Sequence, residues 1–435
     1  MRIVVQPSRS LQGELRPPGD KSISHRAAII AALAEGTSTI NGFLEGADCL
    51  STLACLRSLG VKIRAPEAGQ LEVAGQGLFS LQEPETVLDA GNSGTTMRLL
   101  LGVLAGQKFY SVLSGDASLR RRPMGRVSNP LKAMGARIWG RRGGELAPLS
   151  ILGSKLQAIN YSLPVASAQV KSALLLAGLY AAGETVLREP WQSRDHSERM
   201  LRAAGAAIQV EGQVTRLRGG KPLKPLNVVI PGDMSAAAFF IVAAVILPCA
   251  ELIVRQVNLN PTRTGILEVL RAMGALIEVI SRGKNGMEPV GDIRVCASKL
   301  RGVEIGGSII PRLIDEVPVL AVAAALAEGE TVIRDAAELK VKESDRISMV
   351  ARELAKMGAQ IKPAPDGLLI NGSTLRGAVV DSHGDHRLAM ALAVAGLAAV
   401  EGETVIRGAE CLAVSYPNFI NDLRSMGVEV REEIE

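Results

Sequence analysis

The sequence predicts an α/β protein of two lobes, each made of three copies of one helix-and-strand unit. Three observations predict it. A leucine, a short helical stretch, a glycine and an aliphatic strand start recur six times, at residues 56–63, 131–138, 201–208, 270–277, 354–361 and 423–430. Upstream of each copy runs an apolar helix, a small or acidic turn and a β-branched strand, at residues 27–40, 97–113, 171–187, 236–254, 317–333 and 388–406. Finally, Pro18-Gly19-Asp20-Lys21-Ser22 opens the first apolar helix and Pro231-Gly232-Asp233-Met234-Ser235 opens the fourth, three copies later.

Each element of the unit has a physical reading. The first helix is apolar almost all round, so it belongs inside its lobe. The second, at residues 48–59 in the first copy and 344–357 in the fifth, is amphipathic and belongs outside. Gly60, Gly135, Gly205, Gly274, Gly358 and Gly427 then suit a left-handed residue that closes a helix before a strand. A spacing of about seventy residues is too long for a common solenoid, so each copy is a subdomain that needs neighbours. The paired Pro-Gly turns mark two crossings of the chain. They assign residues 19–231 to one lobe, and residues 1–18 with 232–435 to the other. Two crossing strands also serve as a hinge, because a few terminal residues can absorb a lobe closure.

Composition narrows the function. At 435 residues the chain exceeds one ordinary core, in keeping with two domains. Apolar residues make up 47% but aromatics only 3%, so the core must be built from Ala, Val, Ile and Leu. A net charge of +5 suits an anionic small ligand as well as it suits nucleic acid. No nucleic-acid partner is expected, because stacking aromatics are scarce and the longest basic run is Arg120-Arg121-Arg122. The five cysteines form no CxxC pair and fit reduced thiols in a cytoplasmic protein. No signal-peptide apolar region opens the chain, and the longest uncharged stretch, residues 234–250, contains Pro248 and reads as a buried helix rather than a membrane span.

The chemistry-bearing residues collect where the apolar helices begin. The six starts carry Asp20-Lys21-Ser22-Ile23-Ser24-His25-Arg26, Gly91-Asn92-Ser93-Gly94-Thr95-Thr96, Ser167-Ala168-Gln169, Asp233-Met234-Ser235, Asp315-Glu316 and Asp385-His386-Arg387. Free N–H groups at helix starts bind phosphate and carboxylate oxygens. If the helices of each lobe point their starts at the other lobe, these groups converge on one anion-binding cleft. The plainer alternative is that Asp, Ser and Asn only cap helices. Capping does not require Lys21, Arg26, Gln169 and Arg387 within otherwise apolar runs. Other motifs have equally plain readings. Arg120-Arg121-Arg122-Pro123-Met124-Gly125-Arg126 reads also as a surface loop, Lys340-Val341-Lys342-Glu343-Ser344-Asp345-Arg346 as a solvated helix face, and Asp315 as a cap. The Gly91–Thr96 run lacks the Gly-Lys-Ser/Thr ending of a nucleotide loop, and His383 with Asp385 and His386 lacks a third clustered His or Cys for a metal.

Eight of these motifs, in order along the whole chain, resemble the 5-enolpyruvylshikimate-3-phosphate synthase family. They are residues 20–26, 91–96, 122–126, 167–169, 193–196, 315–316, 342–346 and 385–387. The resemblance implies a two-lobed inside-out α/β barrel of six βαβαββ repeats, three per lobe, linked by two crossover strands, with the active site in the cleft between lobes. It implies transfer of the enolpyruvyl group of phosphoenolpyruvate to the 5-hydroxyl of shikimate 3-phosphate, without metal or organic cofactor. The partners it implies are those two small molecules, with no nucleic acid and no membrane, and the chain is expected to act as a cytoplasmic monomer. By resemblance, Lys21, Gly94 (through nearby amides), Arg122, Gln169, Arg346 and Arg387 receive phosphoenolpyruvate. Ser22, Arg26, Ser167, Ala168, Gln169, Ser193, Arg194, Asp315 and Lys342 receive shikimate 3-phosphate. Asp315 is the base near the hydroxyl, Glu343 handles the C3 proton, and Lys21 stabilises the departing phosphate.

Departures from the family pattern are few. Many relatives carry a lysine three residues before the late Phe/Tyr-Pro, where this chain has Val414. The motifs at Arg122, Ser167 and Ser193 are similar to the glyphosate-tolerant branch, yet its best-known members carry alanine where Gly94 stands. Gly94 therefore implies inhibition by glyphosate, and a methyl group there would crowd the donor pocket. The nearest rival is UDP-N-acetylglucosamine enolpyruvyl transferase. That enzyme usually carries a reactive cysteine on the second-repeat loop, and residues 118–125 contain none. A rival of another class is a non-catalytic anion- or RNA-binding protein on the same repeat. It would need neither Asp315 nor Glu343.

Overall fold

All six apolar runs are helices: Lys21–Ala32, Gly94–Ala105, Ala168–Gly178, Met234–Ile246, Val317–Ala325 and His386–Leu397. They come from a computed structural model that describes residues 1–433. Almost every side chain on them is buried, including all twelve residues of His386–Leu397. The second helix of each unit is different. Arg346–Lys356 buries Ile347, Val350, Ala351 and Leu354, one stripe at helical spacing, together with Arg346 and Glu353, and exposes Arg352, Ala355 and Lys356. It begins two residues later than the sequence pattern suggests, because Asp345 accepts a hydrogen bond from the Ser348 amide and caps it. The repeat glycines all lie at positive φ, from +82° at Gly427 to +105° at Gly274, which only glycine adopts without strain. The leucines four residues earlier, such as Leu56 and Leu423, are fully buried.

Each unit's strands form one four-stranded sheet of constant pattern, so the described residues make six such sheets. The strand after the core helix lies second. It pairs in parallel with a short edge strand and antiparallel with a third strand, whose far neighbour is the strand that the repeat glycine introduces. In the second sheet Tyr110–Ser114 pairs with Leu88–Asp89 and Leu146–Leu152, and Arg137–Arg141 closes the far edge. Alternation along strands such as Gln70–Gln76 shows one face packed and one wet. Within each unit of the chain, sheets therefore cover helices.

Three sheets depart from sequential assembly. Four of the short edge strands precede the core helix of their own unit, as Leu88–Asp89 precedes Gly94–Ala105. By that rule Gln12–Leu15 should flank the first sheet and Asn227–Val229 the fourth. They are exchanged: Asn227–Val229 pairs with Glu35–Asn41, and Gln12–Leu15 pairs with Glu251–Asn258. The N-terminal strand Arg2–Val5 supplies the third strand of the last sheet, between Thr404–Arg407 and Val430–Glu433.

The chain accordingly divides into two compact units. One holds residues 1–18, 231–284 and 288–435, and the other holds residues 19–230 and 285–287. The glycines at the two divisions are sterically required. A Cβ on Gly19 would lie 1.8 Å from the Gly42 carbonyl oxygen, and one on Gly232 would lie 2.6 Å from Pro17 Cγ. Each unit has its own aliphatic core. The first also gathers Phe239, Phe240, Tyr416 and Phe419 at ring separations of 5.5–6.2 Å, mostly edge to face. No described helix is long and apolar enough to cross a membrane.

All five cysteines are free thiols in unequal settings. Burial pushes the Cys55 and Cys411 thiols up to about 12, so neither is ionised at neutral pH. Exposed Cys249 should react fast with a thiol reagent and half-buried Cys296 slowly. Cys49, Cys55 and Cys411 should react only on unfolding. A reagent time course with and without denaturant measures this.

Candidate active site

Because the core helices are apolar along their length, their polar starts stand out. In the unit of residues 19–230 three starts are tied together. His25 Nδ1 lies 2.6 Å from Thr52 Oγ1, which lies 2.6 Å from Thr96 Oγ1. Gln169 donates to Thr95 Oγ1 at 2.9 Å, and Arg26 donates to Ser172 Oγ at 2.9 Å. The first turns of helices Lys21–Ala32, Gly94–Ala105 and Ala168–Gly178 therefore sit at one end of this unit, where the positive ends of their dipoles gather. His25 is fully buried, and burial, followed by the charges of Lys21 and Arg26, holds it well below its ordinary value and so neutral.

The cations expected to meet anions are placed around that end. Lys21 Nζ is 3.2 Å from Asp48 Oδ2, on the first turn of helix Ala47–Ser58. Arg122 is buried, so the surface-loop reading does not describe it. Its guanidinium donates to the Asn92 carbonyl at 3.1 Å and to Asn92 Oδ1 at 2.6 Å, holding the loop before Gly94. Arg120 and Arg121, by contrast, are exposed. Ser22 Oγ accepts from Arg194 at 3.3 Å. Ser167 caps its helix by accepting from the Val170 amide at 3.5 Å, and the Ala168 carbonyl accepts from Ser172 Oγ. Arg26 is buried and directs Nε to Ser197 Oγ at 2.8 Å and Nη1 to the Ser22 carbonyl at 2.9 Å, so it braces three chain segments. Ser193 is buried and donates to Glu189.

The unit of residues 231–433 presents a denser cluster. Asp315 and Glu316 precede helix Val317–Ala325, and neither carboxylate caps it. Glu316 accepts instead from Ser235 at the start of helix Met234–Ile246. Asp315 Oδ1 is 3.2 Å from Arg346 Nη1 and 3.4 Å from Lys342 Nζ, and its carbonyl accepts from Arg387 Nη1 at 3.3 Å. Arg346 has a side chain only 1% exposed, so the solvated-face reading fails for it. It also donates to Glu343 Oε2 at 2.7 Å and to both oxygens of Asp385, at 2.8 and 3.1 Å. Burial alone would lower the Arg346 guanidinium, yet the charges of Asp385, Glu343 and Asp315 raise it. Burial would raise Asp385, and the Arg346 charge overrides it and holds the carboxyl below the usual range despite Glu343. The starts of three more core helices thus meet at one end, with the carboxylates Asp315, Glu316, Glu343 and Asp385 and the cations Lys342, Arg346 and Arg387 among them.

Sequence reasoning missed two organisers. Arg98 lies on the buried face of helix Gly94–Ala105, where Nη1 donates to Gln169 Oε1 at 2.7 Å and Nη2 to the Pro123 carbonyl at 3.2 Å. It holds Gln169 and the loop carrying Arg122. The signal was a lone arginine one turn after Gly94 in an otherwise apolar run. Asp385, a motif residue to which the sequence assigns no role, is the second. It caps its own helix through the Arg387 amide and is the closest carboxylate to Arg346 Nε. Val414 ends a short 3-10 turn, Ala409–Val414, and brings no charge to it.

Two sets of helix starts, each lined with cations and ordered carboxylates, define a protein that handles small multiply charged anions. Comparison with known proteins makes this particular. The model of the EPSP synthase (3-phosphoshikimate 1-carboxyvinyltransferase) family matches residues 5–423, and the chain belongs to that family. It is 55% identical over 430 residues to the 3-phosphoshikimate 1-carboxyvinyltransferase of Desulforamulus reducens, covering 99% of this chain and all of that one. With the Pelotomaculum thermopropionicum protein of the same name it is 57% identical over 431 residues, again 99% and 100% of the two chains. A solved EPSP synthase structure from Acinetobacter baumannii superposes with a TM-score of 0.87 at 45% identity, over 99% of this chain and 100% of that one.

The Arg346–Asp385 pair yields a stability test. Asp385 has a depressed folded value, so its contribution is present above the ordinary carboxylate value near 4 and is lost as pH falls below it. Asp385→Asn should lower unfolding free energy at pH 7 by about 3 kcal/mol, since one partner of a buried pair is removed. The loss should shrink as pH falls below about 4, where the unfolded chain takes up the proton, and vanish only below the depressed folded value, where native Asp385 protonates. Urea titrations at several pH values measure both.

Proposed function

We propose that this chain transfers the enolpyruvyl group of phosphoenolpyruvate to the 5-hydroxyl of shikimate 3-phosphate, releasing inorganic phosphate. The observation that carries the reading beyond family membership is the cluster of Asp315, Glu343, Lys342, Arg346 and Arg387 at one end of three core helices. The reaction needs two proton carriers among fixed cations, and an anion-binding protein does not.

In this reading the motif residues divide between the two substrates. Lys21, Arg122, Gln169 and amides near Gly94, with Arg346 and Arg387, take the phosphate and carboxylate of phosphoenolpyruvate; the planar guanidinium pairs two oxygens at once. Ser22, Arg26, Ser167, the Ala168 amide, Gln169, Ser193, Arg194 and Lys342 receive shikimate 3-phosphate. Asp315 accepts the 5-hydroxyl proton as the oxygen attacks C2, and Glu343 delivers a proton to C3. The tetrahedral adduct then returns the C3 proton and expels phosphate, whose charge Lys21 stabilises. The contacts support two roles, because Asp315 is held by Lys342 and Arg346 while Glu343 meets Arg346 from the preceding turn. Arg346 acts here first by ordering both carboxylates. The cytoplasm and a monomeric state are part of the same reading.

The test is phosphate release from phosphoenolpyruvate with shikimate 3-phosphate, and in parallel with UDP-N-acetylglucosamine. Release with shikimate 3-phosphate alone is expected, and Asp315→Asn or Glu343→Gln should each cut kcat by about a hundredfold or more. Release only with the nucleotide sugar would reassign the acceptor, and silence from folded protein with both would favour a binding protein.

Glyphosate inhibition belongs to the same proposal. A Cβ on Gly94 would lie 2.7 Å from Arg98 Nη1 and 3.5 Å from Arg122 Nη1. Arg98 is the movable neighbour, and its displacement would free Gln169. Gly94→Ala should therefore weaken inhibition and raise the phosphoenolpyruvate KM. Equal inhibition curves for the two forms would refute this.

A further inference from the structure

Helix Ala168–Gly178 carries one charged residue, Lys171, which the reaction does not use. Lys171 is buried, and its Nζ lies 2.6 Å from Glu189 Oε2 and 2.6 Å from Glu198 Oε1, both carboxylates being buried as well. The three residues come from different elements. Lys171 is one turn into the helix that begins with Ala168 and Gln169, Glu189 directly follows strand Glu184–Arg188, and Glu198 is on helix His196–Ala203. One ammonium therefore pins both ends of the segment that carries Ser193 and Arg194.

The pinned segment is further ordered from inside. Ser193 Oγ donates to Glu189 Oε1, the oxygen that does not face Lys171, and Arg194 reaches Ser22 Oγ. Next to Glu198, Ser197 donates to Ser172 Oγ at 2.7 Å and accepts from Arg26, so the base of the segment is also joined to helix Lys21–Ala32. A buried ammonium beside two carboxylates is an expensive arrangement for mere stability, since apolar side chains of similar volume would do as well or better.

We propose that Lys171, Glu189 and Glu198 form a positioning cluster for the acceptor substrate, setting Ser193 and Arg194 where shikimate 3-phosphate binds. The inference rests on the assignment of Ser193 and Arg194 to that substrate. None of the three is a catalytic residue; each acts through Ser193, Arg194 or the helix start. Glu198 Oε2 is buried without a hydrogen-bond partner. Burial raises Glu198 more than the Lys171 charge lowers it, while Lys171 is held charged by Glu198 and Glu189 against its own burial. A proton on Glu198 leaves the cluster neutral, with the Lys171–Glu189 pair intact.

The experiment is steady-state kinetics on the full chain with each substrate varied in turn, for Ser193→Ala, Glu189→Ala, Glu189→Gln and Lys171→Met. Glu189→Ala and Lys171→Met should raise the shikimate 3-phosphate KM by about tenfold, with the phosphoenolpyruvate KM within about twofold of wild type. Glu189→Gln should recover most of that loss, because its amide oxygen still accepts from Ser193 or Lys171. Equal rises in both KM values, or a Glu189→Gln variant as impaired as Glu189→Ala, would overturn the cluster's role. Should Lys171→Met fail to fold, the Glu189 pair decides, since Lys171 keeps Glu198 there. Ser193→Ala separates the two layers. A wild-type acceptor KM in that variant refutes the acceptor assignment itself. A raised one, with Glu189→Ala unaffected, refutes only the cluster.

Discussion

A helix that is apolar on every face can meet water only at its ends. That constraint organises this protein, because six of its helices are of this kind. Each must be enclosed along its length, and the sheets do it, one per unit, with one packed face and one wet face. With so few aromatics the enclosure is aliphatic, and methyl-sized fit rather than ring stacking sets the packing. The amphipathic second helices and the repeat glycines then follow as the means of returning the chain to start the next strand.

The same constraint locates the chemistry. Polar side chains excluded from the helix bodies collect at the starts, where orphan N–H groups already favour anions. A charge so close to an apolar core must be matched, and each buried cation has its answer. Arg346 is met by Asp315, Glu343 and Asp385, Lys171 by Glu189 and Glu198, and Arg26 by hydroxyls and a carbonyl. Such clusters fix geometry more than they add stability, because desolvation offsets much of the attraction. Their value here is that carboxylates and cations hold their places before any substrate arrives, which is the preorganisation that charge-handling catalysis requires.

Much of this was legible in the sequence. The repeat, the left-handed glycines, the buried character of six helices and the polar identity of their starts are local patterns, and backbone sterics and hydrophobic periodicity are local physics. The motifs that marked Lys21, Gly94, Arg122, Asp315 and Arg346 were legible as residues, though Arg122 and Arg346 each carried an equally plain surface reading that only their burial removed.

What tertiary structure decided is which parts meet. The exchange of Gln12–Leu15 and Asn227–Val229 between sheets could not be read, because edge strands this short carry no periodicity of their own and their partners lie far away in sequence. The use of Arg2–Val5 as the missing third strand of the last sheet is hidden for the same reason. Arg98 on Gln169, Asp385 on Arg346 and Lys171 between two glutamates were also out of reach. By itself the sequence determined the elements, the two-fold set of three repeats and the residue types at the helix starts, since these depend on neighbours within a few positions. The pairing of strands and of buried charges depends on distance in space, and only the folded chain specifies it.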